Sequence, residues 1–283
     1  MDKTNLNNSS IKLVCPICTK PLKRDDKRFV CEKNHSFDIA RQGYVNLLPV
    51  QNKHSLNPGD TKDMLIARRS FLDSNKYMPV CSSVIDAVKK YSKAEEPVVL
   101  DVGCGEGYYT SLIKQSCGGT YAGIDISKDG VKMACSRDRN ILWLVATASS
   151  LPFESGSADV ITAMFSLMQP EEYARVLEDG GCVIEVTAGN DHLRELKEII
   201  YDEVFEQHKH PSPCTELFDE VECTEHRFRI RLDNTQLCQL LKMTPHFWRI
   251  HKERREMLEK TESLELTVHY WLRAAVKKQK GAL

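Results

Sequence analysis

Two acids and a run of glycines mark the part of this sequence best suited to hold a charged ligand. The apolar run Val98–Val102 predicts a buried strand. Glycines follow it at every second position: Gly103, Gly105 and Gly107. Glycine lets the backbone turn sharply and lets a ligand approach it closely. Asp101 precedes the first glycine and could hold a cationic amine, while Asp125 ends a second predicted strand and could accept hydrogen bonds from ribose hydroxyls.

This pattern, D-x-G-x-G-x-G followed by an acid that ends the second strand, resembles the S-adenosylmethionine (SAM) site of a class I methyltransferase. Dinucleotide enzymes also carry a glycine-rich turn, but theirs is spaced G-x-G-x-x-G. A dinucleotide site and a purely structural turn remain the alternatives at this point. Without Asp101, we would interpret Asp125 as an ordinary acid at a strand end.

Three cysteines and a histidine near the N-terminus have metal-ligand spacing. The pattern C-x2-C…C-x3-H comprises Cys15, Cys18, Cys31 and His35. Three thiolates and one imidazole complete a closed tetrahedral zinc site, which indicates a structural ion rather than a catalytic one. The surrounding apolar residues are too few to form a core, so zinc would supply folding free energy. A chance arrangement and a C-x-x-C redox pair are the alternatives.

The composition is that of an ordinary globular protein. The 283 residues suffice for one large domain and one small one. No apolar run approaches the roughly 20 residues that span a bilayer, so we expect no membrane segment. The N-terminus has no apolar segment of a secretory signal, and the 11 cysteines are an odd number. Both features favour a reducing compartment and therefore a cytoplasmic protein.

Positive charge is concentrated near the predicted zinc site. The net charge of the whole chain is -1, so any nucleic-acid surface must be local. From Ile11 to Arg41 there are eight Lys and Arg residues against four acids. This excess favours a grip on a phosphate backbone, and an ordinary solvated face is the alternative. The cations best placed for this role are Lys20, Lys23, Arg24, Lys27 and Arg28.

The rest of the chain predicts an α/β fold. Residues 42–60 carry Asn, Pro and Gly and predict a linker, followed by helices over 61–72 and 78–91. Strands and helices then alternate up to Val186, which predicts a parallel sheet that binds ligands at the carboxyl ends of its strands. The helix before strand 182–186 is predicted to stop at Asp179–Gly181. After that strand, the sequence predicts a helix over 191–205, an insert over 206–225 and two late antiparallel strands.

Several sequence blocks together resemble the bacterial 23S rRNA guanine-N1-methyltransferases that modify hairpin 35. Besides the zinc set and the glycine loop, they include His35–Asp38, Gly43–Val50, Ala67–Arg69, Leu151–Phe153 and Thr244–Pro245. The resemblance extends from about Val14 to Leu272. The zinc set with the block Gly43–Val50 is its most specific part, because most class I methyltransferases have neither.

This resemblance implies a class I (Rossmann-like) SAM-dependent methyltransferase with a small N-terminal zinc-binding domain. We accordingly expect a zinc-binding, RNA-contacting module over 1–50 and a methyltransferase domain over 51–283. The implied partners are 23S rRNA and a second copy of the chain in a homodimer, with the zinc modules forming part of an RNA cleft. The resemblance adds SAM contacts to the loop positions: Tyr77, Tyr109, Thr110 and His192.

Methylation of guanine N1 sets two chemical requirements. N1 carries a proton in the neutral base, so the reaction must remove it, and no residue of the sequence is singled out as the base. N1 also faces the Watson–Crick partner, so the guanine must be unpaired or flipped out. We expect Met164–Ser166 to line the base pocket. A methyltransferase of small molecules, many of which carry Leu-Pro-Phe, and a non-catalytic RNA-binding protein are the alternative functions.

Overall fold

The computed structural model describes residues 10–49, 59–203 and 216–279. An antiparallel sheet of three short strands lies near the N-terminus. Its strands are β1 (Leu22–Asp25), β2 (Arg28–Cys31) and β3 (Ser36–Asp38). Strands β1 and β2 pair from Leu22–Cys31 to Asp25–Arg28 and form a hairpin with the two-residue turn Asp26-Lys27.

The eight-stranded sheet that organises the rest of the chain is mixed. Its order is β10-β11-β9-β8-β5-β6-β7-β4, and all pairs from β9 to β4 are parallel, whereas β11 is antiparallel to β9 and to β10. Its strands are β4 (Tyr44–Asn46), β5 (Val98–Val102), β6 (Thr120–Asp125), β7 (Leu142–Val145), β8 (Ala158–Met164), β9 (Leu177–Ala188), β10 (Phe218–Asp233) and β11 (Ser263–Lys277). This is the predicted class I methyltransferase sheet with an antiparallel end.

Most helices pack on one face of this sheet. The helices are α1 (Lys62–Leu72), α2 (Met78–Tyr91), α3 (Tyr108–Cys117), α4 (Lys128–Ala134), α5 (Pro170–Val176), α6 (Arg194–Ile200), α7 (Asn234–Lys242) and α8 (Lys252–Glu259), with a 3-10 helix at Pro245–Trp248. Buried side chains of every α-helix except α5 share one core with that face. Helix α5 and the N-terminal module pack on the opposite face. None of the helices in the described residues is long and apolar enough to span a membrane.

Part of the predicted linker is a strand of the main sheet. Tyr44–Asn46 form β4, which pairs in parallel with β7, and the N–H of Leu47 donates to the carbonyl of Val145 over 2.9 Å. Tyr44 and Val45 are buried, which explains why this segment joins the sheet edge. The linker prediction is therefore wrong for these residues. Residues 50–58 lie outside the described residues, and the boundary at residue 50 stays a prediction.

The helix predicted over 191–205 is shorter in the structure. The N–H of Asp191 donates to His269 Nδ1 over 3.1 Å, and the N–H of Leu193 donates to the carbonyl of Thr267 over 2.8 Å. These bonds tie the segment to β11, so α6 begins only at Arg194, and Tyr201 follows it with extended backbone. Phe205 lies outside the described residues.

Two further boundary predictions need correction. Helix α5 ends at Val176 and the residues Asp179–Gly181, predicted as its stop, already belong to β9. The predicted insert over 206–225 is wrong from Phe218 onward, where β10 begins, because these residues pair with the far end of β11. Residues 206–215 lie outside the described part of the chain. Helices α1 and α2 have the predicted positions, and Thr61 caps α1 through its hydroxyl.

Candidate functional site

The four predicted metal ligands converge in the structure. The donor atoms of Cys15, Cys18, Cys31 and His35 all lie within 4.8 Å of one another. His35 Nδ1 is 3.4 Å from both the Cys15 and the Cys31 sulfur, and the Cys18 and Cys31 sulfurs are 3.6 Å apart. Zn–S bonds of about 2.3 Å in a tetrahedron place sulfurs roughly 3.8 Å apart, so this donor set fits zinc. It leaves no ligand position open for catalysis.

The zinc module is docked onto the sheet through the Leu151–Phe153 block. Leu13 and Phe153 form an antiparallel bridge, the N–H of Val14 donates to the carbonyl of Pro152, and the N–H of Glu154 donates to the carbonyl of Lys12, both over 2.9 Å. Arg175 on α5 donates to the carbonyls of Leu151 and Phe153 over 2.8 Å. The Leu-Pro-Phe block, which is common in methyltransferases of small molecules, here connects the zinc module to the main sheet.

The glycine loop adopts backbone conformations that side chains disfavour. The φ angles of Gly103, Gly105 and Gly107 are all positive, at 87°, 55° and 83°. A Cβ atom on Gly103 would lie 2.7 Å from Cβ of Ser166, and one on Gly107 would lie 2.7 Å from Trp143. A Cβ atom on Gly105 would meet no atom within 4 Å. The loop is therefore packed at its two ends and open at its centre, as a cradle for a closely approaching ligand must be.

Asp125 fixes the centre of this loop. Its Oδ2 accepts the N–H of Gly105 over 2.8 Å, and its Oδ1 accepts the N–H of Ser127 over 2.7 Å. Burial raises the pKa of the Asp125 carboxyl, and these two backbone hydrogen bonds oppose the rise. The side chain is only half-buried, so the carboxylate remains able to accept a ribose hydroxyl on its open side.

Asp101 lies below the loop and is 2% exposed. It accepts hydrogen bonds from the hydroxyls of Thr110, at the start of α3, and of Thr162 on β8, the latter over 3.0 Å. Burial raises its pKa to about 6, although both hydroxyls favour the ionised form. Thr162 was not predicted, and a lone threonine within an apolar strand was its only signal. Thr110 orients the Asp101 carboxylate, and its contact with SAM stays a prediction.

Three aromatic rings meet beside the loop. The rings of Tyr77 and His192 have centroids 6.2 Å apart, and that of Phe165 lies 6.5 Å from Tyr77 and 5.7 Å from His192. His192 Nδ1 is 2.9 Å from the carbonyl of His269, so it carries the proton, and Nε2 accepts from the Tyr77 hydroxyl over 3.4 Å. Two predicted SAM contacts that are 115 residues apart are thus neighbours.

A buried ion pair that was not predicted from the sequence holds the glycine loop against neighbouring helices. Glu106 has a side chain that is 1% exposed, and its Oε2 lies 2.6 Å from Nη2 of Arg137 and 3.1 Å from Nε of Arg69. Burial raises the pKa of Glu106, whereas the Arg137 charge lowers it. In the sequence, this ion pair was indicated by an acid between two glycines and by Arg69 in the Ala67–Arg69 block. Because Arg69 is on α1 and Arg137 follows α4, the pair fastens the loop to two helices.

The remaining predicted positions lie at the same sheet edge. Tyr109 follows Tyr108 at the start of α3 and is half-buried; burial raises the pKa of its hydroxyl. Ala148–Ser150 follow β7, where Ser149 and Ser150 are exposed. Phe165 and Ser166 follow β8, and the Ser166 hydroxyl donates to the carbonyl of Val102 over 2.9 Å. The carboxyl ends of β5, β6, β7 and β8 therefore bring these residues to one edge of the sheet, where ligands bind in folds of this kind.

Both parts of the chain are similar to known protein families. Residues 13–56 match a zinc-ribbon family model described as RlmA, N-terminal, and residues 99–181 match one described as a methyltransferase domain. A Bacillus subtilis (strain 168) protein, provisionally named a 23S rRNA (guanine-N1)-methyltransferase, is 30% identical over 90% of this chain and 93% of its own. The 23S rRNA (guanine(748)-N1)-methyltransferase of Streptomyces fradiae is 31% identical over 89% of this chain and 90% of its own.

Replacing Cys31 with Ser should release the metal. A hydroxyl is a poor zinc ligand, and the module has little core of its own, so Cys31→Ser should retain less than one tenth of an ion per chain where the wild type retains one. Elemental analysis of the dialysed proteins measures this. Cys238→Ser, a half-buried thiol outside the cluster, is the matched control. Full zinc content in Cys31→Ser would show that this thiol is not a ligand.

SAM affinity should rise with pH through the titration of Asp101. Its carboxyl has a raised pKa of about 6, and a cationic amine prefers the carboxylate, so binding must displace the proton at lower pH. Calorimetry should therefore give about tenfold tighter binding at pH 7 than at pH 5. In Asp101→Asn the affinity should be weak and independent of pH over this range, while Asp138→Asn should behave as the wild type. Equal wild-type affinities at the two pH values would contradict this role.

Proposed function

The chain belongs to the 23S rRNA (guanine-N1)-methyltransferase family, and on this premise we propose that it transfers a methyl group from SAM to N1 of one guanine in hairpin 35 of 23S rRNA. The observation that carries the proposal is the open cradle at Gly105 between two carboxylates, on a sheet that also bears a docked zinc module with exposed cations. A methyltransferase of small molecules needs the cofactor cradle but does not need the zinc module with its exposed cations.

The cofactor cleft accounts for the donor side of the reaction. SAM supplies the reactive methyl as a sulfonium. The chain's task is to orient it: Asp101 holds the amine, Asp125 accepts the ribose hydroxyls, and the glycine loop lets the cofactor lie against the backbone. Tyr77, Tyr109 and His192 enclose the remaining side. In-line positioning of this kind can contribute about 7–11 kcal/mol to lowering the barrier.

Phe165 supports the assignment of the acceptor pocket. It directly follows β8, its φ angle is 53°, and its side chain is 38% exposed beside Tyr77 and His192. A large side chain rarely adopts this backbone region, and such strain is concentrated at functional sites. The N–H of Phe165 donates to the carbonyl of Val186 over 2.8 Å, which holds the strained position in place. We propose that the ring stacks on the flipped guanine.

Removal of the proton from guanine N1 needs a base. Asp101 and Asp125 are the carboxylates at the neighbouring strand ends. Asp101 already accepts the hydroxyls of Thr110 and Thr162, and Asp125 the N–H groups of Gly105 and Ser127. His192 Nε2 accepts from Tyr77. Water can also act as the base and take the proton from guanine N1 as the methyl group is transferred.

The β1–β2 hairpin is the proposed RNA grip. Lys20, Lys23, Arg24, Lys27 and Arg28 are all exposed. Arg28 pairs with Asp25 over 2.7 Å and Lys20 with Glu32 over 3.2 Å, so Lys23, Arg24 and Lys27 of the hairpin are best able to neutralise phosphates. We further propose that two copies of the chain form a dimer whose zinc modules share one RNA, and that the enzyme acts in the cytoplasm, where its substrate is made. Sedimentation at micromolar concentration tests the dimer.

The reaction is tested with unmodified 23S rRNA and SAM labelled in the methyl group. Label should appear as N1-methylguanine in hairpin 35, and the rate should increase with pH until the group that takes the proton is deprotonated. Digestion and mass spectrometry identify the labelled nucleoside. Label on a carbon, a ribose or an exocyclic amine would refute the assignment to a ring nitrogen. Bound SAM with no labelled rRNA would favour a small-molecule substrate.

Removing these three charges of the β1–β2 hairpin should reduce the salt dependence of RNA binding. Each neutralised phosphate contributes about 0.7–0.9 to the slope of log K against log salt, so the triple variant Lys23→Ser/Arg24→Ser/Lys27→Ser should lose about 2 from that slope. Fluorescence anisotropy with a labelled hairpin-35 RNA measures it. The control is Lys89→Ser/Lys132→Ser/Arg139→Ser, which removes three exposed cations elsewhere. Equal losses in both variants would place the grip outside the zinc module.

A further inference from the structure

Trp248 is a large apolar side chain that the structure leaves in solvent. It ends the 3-10 helix Pro245–Trp248 and is 66% exposed. A tryptophan this exposed is uncommon, because burying its ring is worth several kcal/mol. Neither the cofactor cleft nor the zinc module uses it. Trp248 lies shortly after the Thr244–Pro245 block in the chain, and that block has no role in the proposed site either.

The backbone under Trp248 is tied to two neighbouring helices. The Phe247 ring meets the Trp248 ring edge-on, with centroids 5.2 Å apart, and the Arg255 guanidinium lies 4.7 Å over the Phe247 centroid. Arg255 Nη2 also donates to the carbonyl of Phe247 over 3.3 Å. The Tyr201 hydroxyl and His246 Nδ1 are 2.7 Å apart, which ties the segment to the end of α6. The segment that carries the exposed ring is therefore in contact with the end of α6 and with α8.

The surroundings of the ring are cationic. From Thr244 to Arg255 the chain has four Lys and Arg residues and one acid, Glu253. Arg254 is paired with Asp202, and Lys252 Nζ lies 4.0 Å from Glu256 Oε1. Arg249 is exposed, and within the described residues no carboxylate forms an ion pair with it. An exposed aromatic side chain next to the unneutralised Arg249 is a combination that can bind single-stranded nucleic acid.

A chain of hydrogen bonds links this segment to the cofactor cleft. The carbonyl of Met243 accepts from Arg68 Nη2 over 3.1 Å, and Arg68 pairs with Asp60 over 2.5 Å. The carbonyl of Asp60 accepts from the Ser127 hydroxyl over 3.2 Å, and the N–H of Ser127 donates to Asp125. The Trp248 segment is therefore fastened to the same residues that position the glycine loop.

We propose that Trp248 is a stacking platform for an unpaired base of the substrate RNA next to the target guanine, with Arg249 and Lys252 on the adjacent phosphates. The inference rests on the proposed function, since it takes the substrate to be an RNA hairpin loop. In such loops the bases are unstacked and can lie against aromatic side chains. The zinc module and Trp248 would then hold the RNA at two separate places, one on the stem backbone and one on the loop.

The test compares Trp248→Ala, Trp248→Phe and a control, Met257→Ala, which truncates another exposed apolar side chain on α8. Two labelled RNAs are used, hairpin 35 and a blunt duplex of equal length. Stacking on one base is worth about 5- to 150-fold in affinity, so Trp248→Ala should weaken hairpin binding by a factor in that range and leave duplex binding and SAM affinity unchanged. Trp248→Phe should retain most of the affinity, and Met257→Ala all of it.

Kinetics with hairpin 35 as the substrate give a second readout. Trp248→Ala should raise KM for the RNA by a similar factor with little change in kcat. If the wild type methylates the hairpin while Trp248→Ala binds it with unchanged affinity, or loses hairpin and duplex affinity alike, the inference is overturned and the proposed function stands. A wild type that neither binds nor methylates the hairpin would overturn the proposed function and this inference with it.

Discussion

The geometry of the cofactor cleft depends on the carboxylate of Asp125. It collects the N–H groups of Gly105 and Ser127, one from the glycine loop and one from the cap of α4. A loop of three glycines has many conformations of similar energy, and ordering it costs more conformational entropy than ordering other residues. Charge-assisted hydrogen bonds to a fixed strand end offset that cost. The buried pair of Glu106 and Arg137 secures the neighbouring residue, so the open centre of the loop keeps its shape.

A second constraint is the seam between the zinc module and the sheet. Residues 12–14 pair with 152–154, and Glu172 and Arg175 of α5 bind the same short segment from the other side. The module thus adds backbone hydrogen bonds to the main body as well as apolar contacts. This arrangement fixes where the cations of the β1–β2 hairpin lie with respect to the cleft, which a module on a flexible tether could not do.

The sequence predicted the parts of the structure whose chemistry is local. The ligand spacing of the cysteines, the apolar run before the glycines and the periodicity of α1 and α2 each depend on neighbouring residues only. The wrong predictions concern segments whose partners are distant in the chain: Tyr44–Asn46 joins β7, and Asp191–Leu193 joins β11. Asn, Pro and Gly near the first segment, and charged residues in the second, resembled a linker and a helix because the competing strand cannot be seen locally. The roles of Thr162 and Glu106 were missed for the same reason.

The place of β4 has a consequence for the order of events during synthesis. Tyr44 pairs with Trp143, about 100 residues later in the chain. At 5–20 residues per second, the edge strand waits roughly 5–20 s on the ribosome before its partner exists. The four metal ligands, by contrast, are complete once His35 has emerged. The four ligands can therefore take their ion while the sheet is still being translated, and the nascent chain carries β4 unpaired behind them.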